Sequence, residues 1–174
     1  MGGADFAGDG TGVGDRAAVK ALFLDRDGVI NVDHGYVSRV EDFEFVPGIL
    51  DFIKTAQKKG YLPIVVTNQS GIGRGYYSCE DFEKLTDHML EKMREAGIEI
   101  DRSQVFFCPH DPDEGCACRK PMPGMFLEAA EKFGIDMKNS LMIGDKPSDI
   151  EAAKRAGVGR VVLVRKNEPI EFSI

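Results

Sequence analysis

Asp25 and Asp27 stand two residues apart in Leu24-Asp25-Arg26-Asp27-Gly28, directly behind an apolar run over residues 19–24. A buried strand that stops abruptly at two carboxylates and a glycine reads as a strand-to-loop junction. Two negative charges this close favour a cation between them, and hard oxygen ligands suit Mg²⁺. In a regular strand the two side chains share a face; in a loop leaving the strand, one can point at a substrate while the other is offset. The competing reading is an ordinary strand end with solvated acids. Two further apolar runs, 62–66 and 140–145, also end in polar residues: Thr67-Asn68-Gln69-Ser70 follows the first and Asp145 closes the second. Ligands of a parallel sheet bind at the carboxyl ends of its strands, so three such ends point to one site.

A second cluster lies between them, in Cys108-Pro109-His110 and Cys116-Ala117-Cys118-Arg119-Lys120. Of the four cysteines, three fall within this stretch. Three thiolates and one imidazole suit a closed, tetrahedral Zn²⁺ site that leaves no position for water and is therefore structural. The alternative is a Cys116/Cys118 redox pair or free thiols. The intervening loop is rich in Asp, Pro and Gly and cannot bury a core. Zinc would pin it and aim Arg119 and Lys120 at the site. Cys79 reads as a free cysteine near a helix start, and His88 as a surface or boundary residue.

The elements that must position these groups alternate. After the strand at 19–24, residues 31–40 read as a polar loop over the site. Pro47-Gly48 opens a helix with Ile49, Phe52, Ile53 and Ala56 on one face, ended by Gly60. The strand at 62–66 leads into a glycine-rich loop over residues 71–75. Ser78 caps a longer helix with Asp81 in an acidic first turn rather than a strict capping box; Phe82, Leu85, Met89 and Met93 form its core stripe and Gly97 ends it. A short strand at 105–107 precedes the cysteine loop. A helix at 123–133 stops at Gly134, and the strand at 140–145 follows. Ser148 caps a helix over 149–156, and a strand at 160–164 comes last. Such βαβα order predicts an α/β fold with a parallel sheet covered by helices, without an internal repeat.

With 174 residues the chain is expected to form one domain over 18–174, preceded by a flexible tail at 1–17 that lacks a secretory pattern. The net charge of -7 argues against a nucleic-acid surface, and no apolar run approaches the length of a membrane span. The expectation is a cytoplasmic protein acting on a small metabolite, with no nucleic-acid or membrane partner.

Asp25-x-Asp27-Gly28, Thr67-Asn68, Arg119-Lys120-Pro121 and Gly144-Asp145-x-x-x-Asp149, in this order on these elements, resemble the motifs of haloacid dehalogenase-like (HAD) phosphatases. The resemblance implies a three-layer Rossmann-like fold in which Asp25 is the nucleophile and Asp27 the general acid and base. It further implies Mg²⁺ held by Asp25, the Asp27 backbone carbonyl and Asp145, with Thr67 and Lys120 meeting the phosphoryl oxygens. The connections are too short for a cap domain, so the zinc-stapled loop and the 31–40 loop would flank an open site.

Asn31-Val32-Asp33-His34-Gly35-Tyr36, taken with Thr67 to Tyr76 and the cysteine loop, is similar to a narrower branch. That branch holds the heptose-bisphosphate and histidinol phosphatases; the likeness is greatest to the D-glycero-D-manno-heptose 1,7-bisphosphate 7-phosphatases. It implies substrate contacts from Asp33, His34, Gly35, Tyr36, Thr67, Asn68, Gln69, Ser70, Arg119, Lys120 and Lys146, with Arg74 and Arg119 as cations for a second phosphate. Three features depart from the branch: Val29 replaces a usual hydroxyl residue, the His110–Cys116 gap is short, and the chain ends before the usual final strand and helix. The expected activity is hydrolysis of the 7-phosphate by a monomer. The alternatives are a histidinol-phosphate phosphatase, whose substrate amine would need an acid nearby, and a non-catalytic zinc-stapled scaffold. Asp33 can hydrogen-bond sugar hydroxyls or pair with an ammonium, so it does not separate the two substrates. The scaffold reading predicts loss of Asp25, Asp27, Lys120 or Asp145, and none is missing.

Overall fold

The computed structural model describes residues 18–174; the tail expected at 1–17 lies outside the described residues. Five strands form one parallel sheet in the order β3-β2-β1-β4-β5: β1 Lys20–Leu24, β2 Tyr61–Asn68, β3 Val105–Cys108, β4 Leu141–Gly144 and β5 Arg160–Leu163. β1 is central, paired with β2 on one side and β4 on the other. The chain therefore reverses its direction of travel across the sheet between β3 and β4, and the crevice above β1 and β4 is the topological switch point.

Alternation along β1 makes the two layers. Leu22 and Leu24 face α1 (Ile49–Lys58) and α3 (Cys79–Glu95), where Ile49, Ile53, Ala56, Phe82, Met89 and Met93 close one core. Ala21 and Phe23 face α4 (Gly124–Phe133) and α5 (Pro147–Arg155), where Met125, Phe126, Ala129, Ala152 and Ala153 close the other. Strands buried on both faces read as continuous apolar runs, which is why they were legible.

Local chemistry departs from expectation at three points. The glycine-rich stretch after β2 winds into one helical turn, α2 (Ser70–Gly73), because Arg74 N–H finds the Ser70 carbonyl at 2.9 Å. Ser78 and Asp81 do form a reciprocal capping box, since the shorter Asp side chain reaches the Ser78 N–H at 2.9 Å. Ser148 lies inside α5 rather than at its cap; Asp149 Oδ2 takes the N–H groups of Asp145 and Lys146, each at 3.1 Å, and so moves the helix start back to Pro147. Asp25 and Asp27 do not share a strand face. β1 ends at Leu24, and the Arg26 carbonyl gathers the N–H groups of Val29, Ile30 and Asn31 into a tight turn.

Between β1 and α1 the regular structure is one 3₁₀ turn, Val40–Asp42, and between β3 and α4 one more, Pro112–Glu114. Neither connection builds a folded cap over the crevice. Phe172 and Ile174, beyond β5, pack back on the α1 side of the core.

Candidate active site

Asp25 and Lys120 meet at the head of β1. Lys120 is buried, and its ammonium donates to Asp25 Oδ1 at 3.0 Å and to the Val66 carbonyl at 2.9 Å, with Asp149 Oδ1 at 2.6 Å. The other oxygen of Asp149 accepts the backbone amides of Asp145 and Lys146, just ahead of α5. Asp149 therefore holds Lys120 in place, and each of its oxygens already has a protein partner. Gly144 makes this approach possible, because a Cβ there would run into the Asp149 side chain.

Asp145 is different. Both of its carboxylate oxygens are buried without a hydrogen-bond partner. Oxygen atoms from Asp25, Asp145 and Asp149 lie within 4.8 Å of one another. Gly28, at φ 91°, lets the catalytic loop pass here, since a Cβ would collide with Asp145 Oδ2. Lys120 pairs with both Asp25 and Asp149, Arg26 pairs with Asp27, and Asp145 makes no ion pair among the described residues. Burial, with Asp149, Asp145 and Asp27 adding to it against the pull of Lys120, pushes the Asp25 carboxyl up to about 8. Burial likewise raises Asp145. Orphaned oxygens and surplus negative charge fit a hard divalent cation bound between Asp25 and Asp145. A recess of about 20 Å³ bounded by Asp25, Asp27, Lys120, Lys146 and Asp149 has room for an ion and none for a sugar.

Asp27 is clasped from three sides. Arg26 donates to it through Nη2 at 2.9 Å, Asn31 Nδ2 at 3.0 Å, and Gln69 Nε2 at 3.0 Å. Gln69 also donates to Thr67 Oγ1 at 2.9 Å and accepts from the Tyr77 hydroxyl at 2.5 Å, which fixes which way its amide faces. Burial pushes Tyr77 up to about 12, so it remains a donor. Asn68 spends its amide on the Lys120 backbone, accepting its N–H at 3.0 Å and donating to its carbonyl at 3.2 Å. Gln69 and Asn68, expected as substrate contacts, line the cleft into which the recess opens, and their amides also position Asp27 and Lys120.

The recess opens into a cleft of about 510 Å³ whose walls include Asp33, Gly35, Tyr36, Ser70, Arg74, Arg119 and Lys146. Arg119 Nη1 is buried without a partner. Thr67 lies fully buried beneath the cleft. His34 is exposed and does not line it: consecutive left-handed residues, Gly35 at φ 88° and Tyr36 at φ 50°, turn the chain so that Tyr36 faces the cleft and His34 the solvent.

Cys108, His110, Cys116 and Cys118 converge as the spacing predicts, with ligand atoms within 4.8 Å. Their sulfurs are 2.7, 3.5 and 3.6 Å apart, and His110 Nδ1 is 3.3 Å from Cys108 Sγ and 3.2 Å from Cys118 Sγ. Disulfide sulfurs are about 2.05 Å apart, whereas a zinc tetrahedron with bonds of about 2.3 Å gathers four donors around a common centre as here. Burial raises Cys108; burial opposes but does not outweigh the Arg119 amide and the neighbouring thiols at Cys116, which is lowered to about 6. A cluster holding one ready thiolate suits a cation.

Arg26, Asn31, Tyr77 and Asp149 act on the site without having been given a role from the sequence, although Asn31 and Asp149 stand within the motifs that carry the resemblance. Asp149 carried a signal, its fixed distance from Asp145; for the others only three-dimensional proximity reveals a role.

A haloacid dehalogenase-like hydrolase family profile matches residues 12–157, and the chain belongs to that family. It is 50% identical over 149 residues to the D-glycero-beta-D-manno-heptose-1,7-bisphosphate 7-phosphatase of Helicobacter pylori (strain ATCC 700392 / 26695), covering 85% of each chain. It is equally 50% identical over 149 residues to the D-glycero-alpha-D-manno-heptose-1,7-bisphosphate 7-phosphatase of Campylobacter jejuni, covering 86% of this chain and 84% of the relative. A solved D,D-heptose 1,7-bisphosphate phosphatase from B. bronchiseptica, complexed with magnesium and phosphate, superposes with a TM-score of 0.76 at 35% identity, covering 82% of this chain and 79% of that one.

Proposed function

We propose that this chain is a Mg²⁺-dependent phosphatase that removes the 7-phosphate of D-glycero-D-manno-heptose 1,7-bisphosphate, and that Zn²⁺ pins its cysteine loop. The observation that carries the reading is Asp145, with two orphaned oxygens beside an Asp25–Lys120 pair at the mouth of a cation-lined cleft. The names of the relatives supply the sugar. Asp25, Asp145 and the Asp27 carbonyl would hold Mg²⁺, which when bound offsets the repulsion between an anionic nucleophile and an anionic ester. Cys108, His110, Cys116 and Cys118 would hold Zn²⁺.

Phosphate monoesters are among the slowest biological substrates to hydrolyse unaided, and a carboxylate nucleophile divides the reaction into two easier steps. An Asp25 oxygen attacks phosphorus while the bond from phosphorus to the sugar oxygen breaks. That leaving oxygen takes a proton from Asp27. Water then attacks the aspartyl phosphate, gives its proton back to Asp27, and the Asp25–phosphorus bond breaks to release inorganic phosphate. Arg26, Asn31 and Gln69 return the Asp27 carboxyl to the same place in each half of the cycle. Lys120 and the Thr67 hydroxyl would meet the charge that grows on the transferring group. Arg74, Arg119 and Lys146 line the cleft and would meet the second phosphate.

Asp33 also bears on substrate choice. Its Oδ1 accepts the Gly35 N–H at 2.8 Å and its Oδ2 pairs with Lys166 at 3.1 Å. The acid that a histidinol amine would need already has its partners, which favours the sugar. We further propose a cytoplasmic monomer with one domain over 18–174; among the described residues no helix is long and apolar enough to cross a membrane.

A phosphate-release screen with Mg²⁺ over both anomers of the bisphosphate and histidinol phosphate tests this. Preference for histidinol phosphate overturns the substrate. Asp25→Asn abolishes release with fold and zinc content unchanged; persisting turnover overturns the phosphoaspartate route.

A further inference from the structure

We propose that Asn167 is a positioning residue that locks the substrate-facing turn at Asp33–Tyr36 onto the catalytic loop at Gly28, with Lys166 as its second arm. The proposal rests on the phosphatase reading above and adds to it a determinant of which ester is accepted.

Asn167 sits in the left-handed region, at φ 65°. L-residues other than glycine rarely adopt that conformation, and Asn is among the few that tolerate it. The conformation lets one residue grip two loops. Its backbone N–H donates to the Gly28 carbonyl at 2.9 Å, inside the Asp25-to-Gly28 turn. Its side chain brackets the Asp33 backbone: Oδ1 accepts the Asp33 N–H at 2.7 Å, and Nδ2 donates to the Asp33 carbonyl at 3.3 Å. These partners are 134 residues apart in sequence.

Lys166 completes the grip through its 3.1 Å ion pair with Asp33, whose other oxygen holds the Gly35 amide of the same turn. Burial works against the Asp33 carboxylate, but the Gly35 amide and the Lys166 cation outweigh it and hold its pKa below the usual value. The stem of Lys166 also passes close to Gly28. Between Asn31 and Val37 the chain forms no helix or extended strand that would fix its shape. Segments held only by outside contacts lose order when those contacts go, and the ordering cost then falls on ligand binding. The phosphoryl-binding groups Asp25, Lys120 and Asp145 are anchored independently of this grip. Loss of Asn167 therefore weakens recognition of the ester's organic half and spares chemistry at phosphorus.

Asn167→Gly keeps the left-handed backbone available and deletes only the side-chain bonds. Hydrogen exchange read by mass spectrometry is expected to rise in a peptide over residues 29–38 and to stay constant in one over 124–133. For the heptose bisphosphate, kcat/KM falls about tenfold, mostly through KM, the size of losing one or two hydrogen bonds. For p-nitrophenyl phosphate, whose leaving group offers no hydroxyls to the turn, it changes less than twofold. Asn167→Asp keeps the acceptor for the Asp33 N–H and the tolerance of φ but turns the donor to the Asp33 carbonyl into an acceptor, so it recovers only part of both effects. Unchanged exchange at 29–38, or equal losses on the two substrates, overturns the proposal. If the wild-type protein ignores the bisphosphate, the substrate reading fails while the exchange result still decides the grip.

Discussion

Replacing Lys120 with Met tests the electrostatic account of the site most directly. The Lys120 ammonium has Asp25 Oδ1 at 3.0 Å, Asp149 Oδ1 at 2.6 Å and the Val66 carbonyl at 2.9 Å, in a place that water does not reach. Met matches the length of the stem and keeps the packing, so the change isolates charge. Removing one member of a buried ion pair leaves the partner uncompensated and costs about 3–5 kcal/mol. For a domain of this size that lowers the thermal midpoint by about 6–20 °C. Melting followed by circular dichroism in chelator at about pH 9, where Asp25, pushed up to about 8, is ionised, reads this, and the deficit is insensitive to salt because the pair is buried. Adding Asp149→Asn to Lys120→Met recovers part of the loss, since one of the two stranded carboxylates is then neutral. Phosphate release falls about 100- to 1000-fold, as when other preorganised donors are deleted. A Lys120→Met midpoint within 2 °C of wild type, at any salt, would refute the view that this lysine neutralises a buried acidic cluster.

Three further outcomes follow from neighbouring geometry. In the metal-free protein, Asp25 has a folded pKa of about 8 against 3.8 unfolded, so its contribution to stability is complete below about pH 4 and is lost as pH rises toward 8. The midpoint of the chelated wild type should therefore fall over that window relative to Asp25→Asn, and Mg²⁺ should cancel the slope; a rise with pH contradicts the assignment. Gly28→Ala strains φ 91° by about 1–2 kcal/mol and pushes a methyl at Asp145, so the Mg²⁺ concentration for half-maximal activity rises at least about tenfold. Cys118→Ser removes about one equivalent of zinc by elemental analysis and lowers activity about tenfold or more through Lys120, while far-ultraviolet circular dichroism is retained because the sheet does not depend on the loop.

The strands and helices were legible because β1, β2 and β4 are buried on both faces and read as apolar runs, while Pro47, Pro123, Gly60, Gly97 and Gly134 punctuate the helices. The cluster of Cys108, His110, Cys116 and Cys118 was legible for a similar reason, since four such side chains on one short loop have a sequence spacing that mirrors their spacing in space. The failures were of short range. Asp81 reaching back to Ser78, Asp149 capping α5 and the helical turn at Ser70–Gly73 each depend on angstrom-scale hydrogen-bond geometry that residue type alone does not fix.

Residue types and their order set out the chemistry available: two carboxylates after a strand, a lysine after a cysteine loop, a third acid after a later strand. Parallel pairing of β1 with both β2 and β4 then brought those ends together. How the groups are shared out emerges only on folding. Asp149 is committed to Lys120 and to the amides of Asp145 and Lys146, Asp145 is left with free oxygens, Gln69 serves Asp27, and Asn167 binds the loops that Gly28 and Asp33 belong to. Each of these depends on which lone pair is already occupied, and that is a property of distances between residues far apart in the chain.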